Sequence, residues 1–204
     1  ANTSVTAGSY GSATAIPAIT VDAQGRVTAA STNAFSAGVT SDASANTLAG
    51  TNAGDAITSG SNNTAVGKDA LTTNTTANNN TAIGKNAVGS NATGTRLTGL
   101  GSNALANTTA SDNTGCGATA LFTNSSGVKN TAVGSQAMYY NETGDNNTGL
   151  GYDALQDNTT GSDNTAVGAF ALDACTTSSG LTAVGKDALG SVTSGVLQTT
   201  AVGY

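Results

Sequence analysis

The chain has 204 residues and a formal net charge of −6. Ala (36), Thr (36), Gly (27), Asn (22) and Ser (20) account for 141 of them, whereas Leu, Ile, Val and Phe together number only 32, too few for a conventional core of this length. Charged residues are only 9% and Pro occurs once, unlike a disordered chain, so the composition points to a repeat or fibrous fold built on small residues.

Several functions are disfavoured at once. His is absent, which removes the commonest general base and metal ligand. Six basic against twelve acidic residues argue against nucleic acid as a partner. No apolar stretch approaches the roughly 18 residues of a membrane span, so membrane insertion is not expected. The first residues lack the basic region, apolar run and cleavage site of a signal peptide. Two cysteines are not a disulfide framework, and free thiols are expected.

Residues 1–45 carry no repeat. Ile19-Thr20-Val21 and Arg26-Val27-Thr28 flank Asp22-Ala23-Gln24-Gly25, the signature of a β-hairpin. Pro17 suits a strand start or an edge. A small β module, itself oligomeric, is expected here, joined by residues 34–45 to a solenoid.

From residue 46 the chain repeats. Asn63-Thr64-Ala65-Val66-Gly67-Lys68-Asp69-Ala70-Leu71 returns as Asn80-Thr81-Ala82-Ile83-Gly84-Lys85-Asn86-Ala87-Val88, and further copies start at Leu97, Asn113, Asn130, Asn147, Asn164, Leu181 and Thr199. The fifth-position glycines, from Gly67 to Gly203, are spaced 17, 17, 16, 17, 17, 17, 17 and 18 apart. A weaker copy begins at Asn46. This period is too short for helical hairpin repeats, which need about 33 residues, and fixed Gly and Thr oppose helix. One solenoid coil per repeat fits, giving an all-β parallel solenoid of about 17 residues per coil over residues 46–204. The last copy stops at Ala201-Val202-Gly203-Tyr204, so further coils or a tip domain are expected after Tyr204.

Alternation within Thr-Ala-Val-Gly puts positions two and four on one face and three and five on the other. The apolar position four (Val66, Ile83, Leu100, Cys116, Val133, Leu150, Val167, Val184 and Val202) is expected to fill the coil core, opposed by position nine (Leu71 to Leu189). Position three is only Ala or Gly: Ala65, Ala82, Gly99, Gly115, Ala132, Gly149, Ala166, Ala183 and Ala201. A face kept free of side chains suits close approach of another backbone, so these residues are expected to face the partners in a trimer. Position-five glycines serve that approach or a bend with positive φ, and the two roles are compatible. Each coil buries few large side chains, so association is expected to supply stability the single coil lacks. The runs after each motif, such as residues 72–79 and 156–163, read as variable outer loops. Asn at position one is expected to stack into an amide ladder at a corner.

Two resemblances rest on these residues. Val5 to Ala13 together with Ile19-Thr20-Val21-Asp22-Ala23-Gln24-Gly25-Arg26-Val27-Thr28 resembles a segment of tailed-phage tail fibres. The Asn-Thr-Ala-Val-Gly copies over residues 63–204 resemble repeats of phage fibres, and are similar to the heads of trimeric autotransporter adhesins, in which a Val-Ala-Ile-Gly strand builds a left-handed parallel β-roll. The resemblance implies a homotrimeric shaft on a virion, bound to other tail proteins and carrying attachment to a host surface glycan or outer-membrane receptor, with no enzymatic activity and no cofactor. A bacterial surface adhesin head is the alternative. A remoter one is an ice-binding solenoid, because Thr fills position two in every copy; that reading needs the threonines in a flat solvent-facing rank.

Other candidates weigh less. Gly99 to Ala104, Gly115 to Ala120 and Gly149 to Ala154 match G-x-G-x-x-A, but a dinucleotide site needs a strand-to-helix context. Asp69, Asp153 and Asp187 share position seven and read as turn residues; glycosidase carboxylates must lie within about 10 Å, and Asp69 and Asp153 are five coils apart. Asp145-Asn146-Asn147 and Asp163-Asn164 are weak calcium candidates. The Asn74, Asn107 and Asn158 sequons follow from composition. Phe122 and Tyr139 occupy position ten of adjacent coils and should stack about 5 Å apart, with Tyr140 beside them and Tyr152 and Phe170 nearby. They form the candidate ligand platform, for which lateral packing is the plainer reading.

Overall fold

The computed structural model describes residues 5–6, 8–10, 15–34, 40–195 and 198–203. Residues 7 and 11–13 of the segment resembling phage fibres, residues 35–39 of the expected linker, and Tyr204 lie outside the described residues. Two units are present, residues 1–39 and 40–204, and each is taken by itself.

The first unit is an antiparallel hairpin of β1 (Ala15–Val21) and β2 (Val27–Ala34). Asp22 makes the turn. Its Oδ1 accepts the backbone N–H groups of Gln24 and Arg26, and its Oδ2 accepts Arg26 Nε at 2.7 Å. Gly25 supplies the left-handed residue at φ 77°. These bonds, led by that from the Arg26 backbone, hold the Asp22 carboxyl below its ordinary pKa. The register shifts between Thr20 and Val21, a bulge beside the turn.

The second unit is a parallel β-solenoid of about 17 residues per coil. It opens with β3 (Thr40–Ser41), which pairs antiparallel with β4 (Thr47–Ala49). Nine three-residue strands come next: β5 (Thr64–Val66), β6 (Thr81–Ile83), β7 (Thr98–Leu100), β8 (Thr114–Cys116), β9 (Thr131–Val133), β10 (Thr148–Leu150), β11 (Thr165–Val167), β12 (Thr182–Val184) and β13 (Thr200–Val202). Each pairs in parallel with the equivalent strand of the next coil, Thr on Thr and position four on position four. The 16-residue spacing between β7 and β8 does not disturb the register.

The interior inverts the expected faces. Position three points inward: Ala65, Ala82, Ala132, Ala166 and Ala183 are wholly buried, Gly99, Gly115 and Gly149 are buried with them, and Ala201 in the last strand is half-buried. Position four points outward. Val66, Ile83, Leu150, Val184 and Val202 are exposed, and Leu100, Cys116, Val133 and Val167 are half-buried. The cause is size. Position nine fills the interior with Leu71, Val88, Leu105, Leu121, Met138, Leu155 and Leu172, all wholly buried, and position eight adds Ala70 through Ala171. Little room remains opposite them. A Cβ on Gly99 would lie 2.7 Å from Val88 Cγ2, and one on Gly115 would lie 3.1 Å from Leu105 Cγ. Small residues at position three are therefore required by the coil's own core, not by a neighbouring chain.

The position-five glycines satisfy both conditions read from the sequence. Gly67 and Gly84 have φ of 127° and 137°, and a Cβ on Gly67 would sit 2.7 Å from the carbonyl carbon of Gly84 in the next coil. The backbone turns and stacks at the same atom.

The runs between motifs are not wholly external. From Leu71 to Asn80 every third residue is buried, namely Leu71, Asn74, Ala77 and Asn80. Two buried amide ladders result. At position one, Asn63 Oδ1 accepts the backbone N–H of Asn80, as Asn130 Oδ1 does from Asn147 and Asn147 Oδ1 from Asn164. At position twelve, Asn158 Nδ2 donates to Asn141 Oδ1 at 2.7 Å, and Asn141 Nδ2 to Asn124 Oδ1 at 3.0 Å. Both ladders converge on one carbonyl per coil: Gly144 O accepts Asn130 Nδ2 at 2.8 Å and Asn141 Nδ2 at 3.0 Å. Buried amides that meet their partners stabilise a narrow core that apolar volume alone could not fill.

Candidate functional site

Two surfaces of the solenoid carry features beyond its own packing. The first is the outward face of the strands. Position two (Thr64 through Thr200) and position four alternate along each three-residue strand, and the parallel register stacks them into two columns. With strands about 4.8 Å apart, the nine apolar side chains from Val66 to Val202 run some 38 Å in single file. Val66 and Val184 are each 37% exposed, Ile83 44% and Leu150 46%. Threonines fill the parallel column, with Thr131, Thr148 and Thr200 exposed and the others half-buried. A contiguous apolar strip of this length exceeds the scattered apolar exposure of ordinary monomers. The sequence-predicted trimer-facing residues are thus inside the coil, and the sequence-predicted core residues make the outer strip.

The second surface is the aromatic group. Phe122 and Tyr139 stack with centroids 5.0 Å apart and planes 16° from parallel, as the 17-residue period requires. Tyr140 meets Tyr139 edge to face at 4.6 Å and 70°. Tyr152 meets Phe170 in the same way at 5.3 Å and 77°. The stack turns the faces of Phe122 and Tyr139 towards each other, so neither offers a free platform between the two coils. Phe122, Tyr139 and Phe170 are half-buried, whereas Tyr140 and Tyr152 are exposed.

The position-seven residues are turn formers. Asn52, Asp69, Asn86, Asn103, Gln136 and Asp153 all hold φ between 53° and 60°, a region that Asn and Asp tolerate best. Their side chains bond from coil to coil, Asn52 Nδ2 to Asp69 Oδ1 at 2.8 Å and Asn86 Nδ2 to Asn103 Oδ1 at 2.9 Å. The G-x-G-x-x-A segments run from strand into these turns, without the helix that a dinucleotide site requires. Among the described residues no three His, Cys, Asp or Glu side chains gather as metal ligands would. Among the described residues no helix is long and apolar enough to cross a membrane. Burial pushes the Asp173 carboxyl above its ordinary value, partly opposed by bonds from the backbone of Ala174 and its own, and raised further by Asp157 and Asp187.

The cysteines are both free, and Cys116 stands outside the core in which the sequence placed it. Cys116 lies in the outward strip, half-buried. Cys175 takes position twelve, wholly buried, where it ends the amide ladder. Asn158 Oδ1, which faces that end, has no hydrogen-bond partner. Burial raises the Cys175 thiol, and Ser178 only partly offsets this. Cys116 of the isolated chain should therefore label with a maleimide in the native state, while Cys175 labels only on unfolding; mass spectrometry of the labelled peptides reads the difference. Equal rates would contradict the assignment of position twelve to the interior. Asn74 and Asn158, read as sequons, are wholly buried as well.

No family model, curated protein or solved structure matches this chain.

Proposed function

We propose that this chain is part of the shaft of a tailed-phage tail fibre, a rod of parallel solenoids that carries host attachment. The observation that supports the reading best is the outward apolar strip from Val66 to Val202. Burying it is favourable at about 25 cal/mol per Å², and a second copy of the same chain is the partner that matches it coil for coil. In a parallel, in-register assembly each position-four residue meets its own counterpart. Each coil offers one narrow strip, and three copies closed around an axis bury all three strips at once. The threonines then form the rim. This trimer differs from the one expected from sequence in the face it uses, not in its stoichiometry. Its partners would be neighbouring tail proteins and a host surface glycan or outer-membrane receptor, engaged by three weak sites acting together. The hairpin around Asp22 and its resemblance to phage fibres favour this setting over a bacterial adhesin head.

One observation favours a second reading. The position-two threonines do stand outward in a regular rank, as an ice-binding face would have them. The bulk and irregularity of the adjoining column, which runs Val, Ile, Leu, Cys, Val and Leu from Val66 to Leu150, suit protein contact better than an ordered water lattice. Light scattering separates the two. The fibre reading expects three times the chain mass and no thermal hysteresis; a single-chain mass with thermal hysteresis would replace it by the ice-binding one.

A further inference from the structure

Aromatic residues and charge are distributed unevenly along the solenoid. Five of the eight aromatic residues lie between positions 122 and 170, and none of the other three falls between 46 and 203. Between residues 130 and 185 there are six carboxylates and no lysine or arginine. The two features coincide in the same coils. The Tyr139/Tyr140 pair and the Tyr152/Phe170 pair flank one kind of tight turn, in which Tyr139 N–H donates to Gln136 O and Gln156 N–H to Asp153 O. Asp153 is buried in that turn, where its Oδ1 takes a 3.3 Å bond from Gln136 Nε2 of the preceding coil; Glu142, two residues past Tyr140, is exposed. The exposed rings are Tyr140 and Tyr152, 47% and 49% accessible. Each is braced at a steep angle by a less exposed ring, Tyr140 by Tyr139 and Tyr152 by Phe170. Bracing removes rotamer freedom before binding, which lowers the entropy lost on contact.

We propose that Tyr140 and Tyr152 form a stacking site for a saccharide that carries no acidic groups. The C–H face of a pyranose packs on an aromatic ring, and its hydroxyls are donors for carboxylate and amide oxygens. The surplus of carboxylates repels sulfated, phosphorylated or sialylated chains. Tyr140 holds position eleven, past the buried position nine and away from the strand strip, whereas Tyr152 holds position six, two residues past Leu150 of the strip. The Tyr140 end of the site therefore stays open when the strips associate, and Tyr152 stands at the strip's margin. It gives the attachment surface proposed above a ligand class, and rests on that reading for its setting alone.

The test titrates the whole chain with short oligosaccharides of a linear glucan and of chitin, with heparin oligosaccharides as the polyanionic comparison. Binding is read by calorimetry and by tyrosine fluorescence, which is free of tryptophan interference because the chain has none. A neutral oligosaccharide should bind and heparin should not. Tyr140→Ala and Tyr152→Ala should each weaken binding about tenfold or more, the scale of a lost stacking contact. Tyr140→Phe and Tyr152→Phe, which keep the ring, should stay within about threefold. Absence of binding to both neutral oligosaccharides, preference for heparin, or indifference to the alanine variants would each overturn the site. Light scattering on the same samples keeps the readings apart. A trimer that binds neither neutral oligosaccharide loses the site only, and a single chain that binds one loses the fibre only.

Discussion

Ala132→Leu should prevent the coil from folding, whereas Val133→Lys, one residue along the same strand, should fold and remain a single chain. Ala132 is wholly buried against the interior, and Val133 lies on the outer strip. At the equivalent position of the next coil, a single methyl on Gly149 would already lie 3.2 Å from Met138 Cε and 3.2 Å from Ala154 O. Leucine at 132 adds three more carbons on a wall where even one methyl is held this closely. Overpacking of this kind costs about 3 kcal/mol or more when the backbone on the far side cannot retreat, and here it is held by stacked coils above and below. The lysine ammonium at 133 would instead sit in solvent in the single chain and would be desolvated in the assembly. Circular dichroism and light scattering together check both outcomes. A folded Ala132→Leu chain that merely failed to associate would restore position three to the interface.

Asn141→Leu should be the most damaging polar substitution. Asn141 Nδ2 donates to Asn124 Oδ1 and Gly144 O, and its Oδ1 accepts Asn158 Nδ2. Leu matches the volume closely but leaves Asn124 Oδ1 buried without a donor. One orphaned buried acceptor costs about 1–3 kcal/mol, and loss of the coil-to-coil bonds adds to it, so a fall of about 3 kcal/mol is expected. Cys175→Asn should act in the opposite direction, by about 1 kcal/mol, because it offers a donor to the unpartnered Asn158 Oδ1. Unfolding of a stacked array is local. Hydrogen exchange of the amides in residues 124–161 is therefore the sharper readout, with faster exchange in Asn141→Leu and slower exchange in Cys175→Asn. An unchanged pattern in both would remove the ladder from the account of stability.

Much of the solenoid was legible in the sequence because its signals are periodic. The spacing of Gly67, Gly84 and their successors sets the coil length, and β5 to β13 fall where the Thr-Ala-Val segments stand. The same period placed Phe122 over Tyr139. Alternation assigned positions two and four to one face correctly, since parity is a property of the backbone. Which face is inside was not decided by parity. The larger residues at position four read as core, but this coil is too narrow for large residues on both walls. Once Leu at position nine fills it, Ala and Gly must oppose it. The repeated Ala at position eight and the buried Leu at position nine were already consistent with that. The position-twelve ladder was missed because Asn74, Asn91, Thr108, Asn124, Asn141 and Asn158 stand among many other Asn and Thr residues. Their fixed offset of eleven from the position-one residues was the available signal. The three-residue rhythm from Leu71 to Asn80 is weak in hydrophobicity, because amides alternate with apolar residues in it.

The association of chains through the outward strip is tested most directly at Cys116, which the strip places opposite its own counterpart in a parallel, in-register assembly. Native protein carrying Cys175→Ser, at high dilution, is treated with a short bis-maleimide and resolved under denaturing conditions, with Cys116→Ser as the comparison. The account expects covalently joined chain pairs that survive dilution, disappear in Cys116→Ser and disappear in Val133→Lys. Unlinked single chains throughout, from a wild-type protein that light scattering shows to be trimeric, would mean that the chains meet through another face.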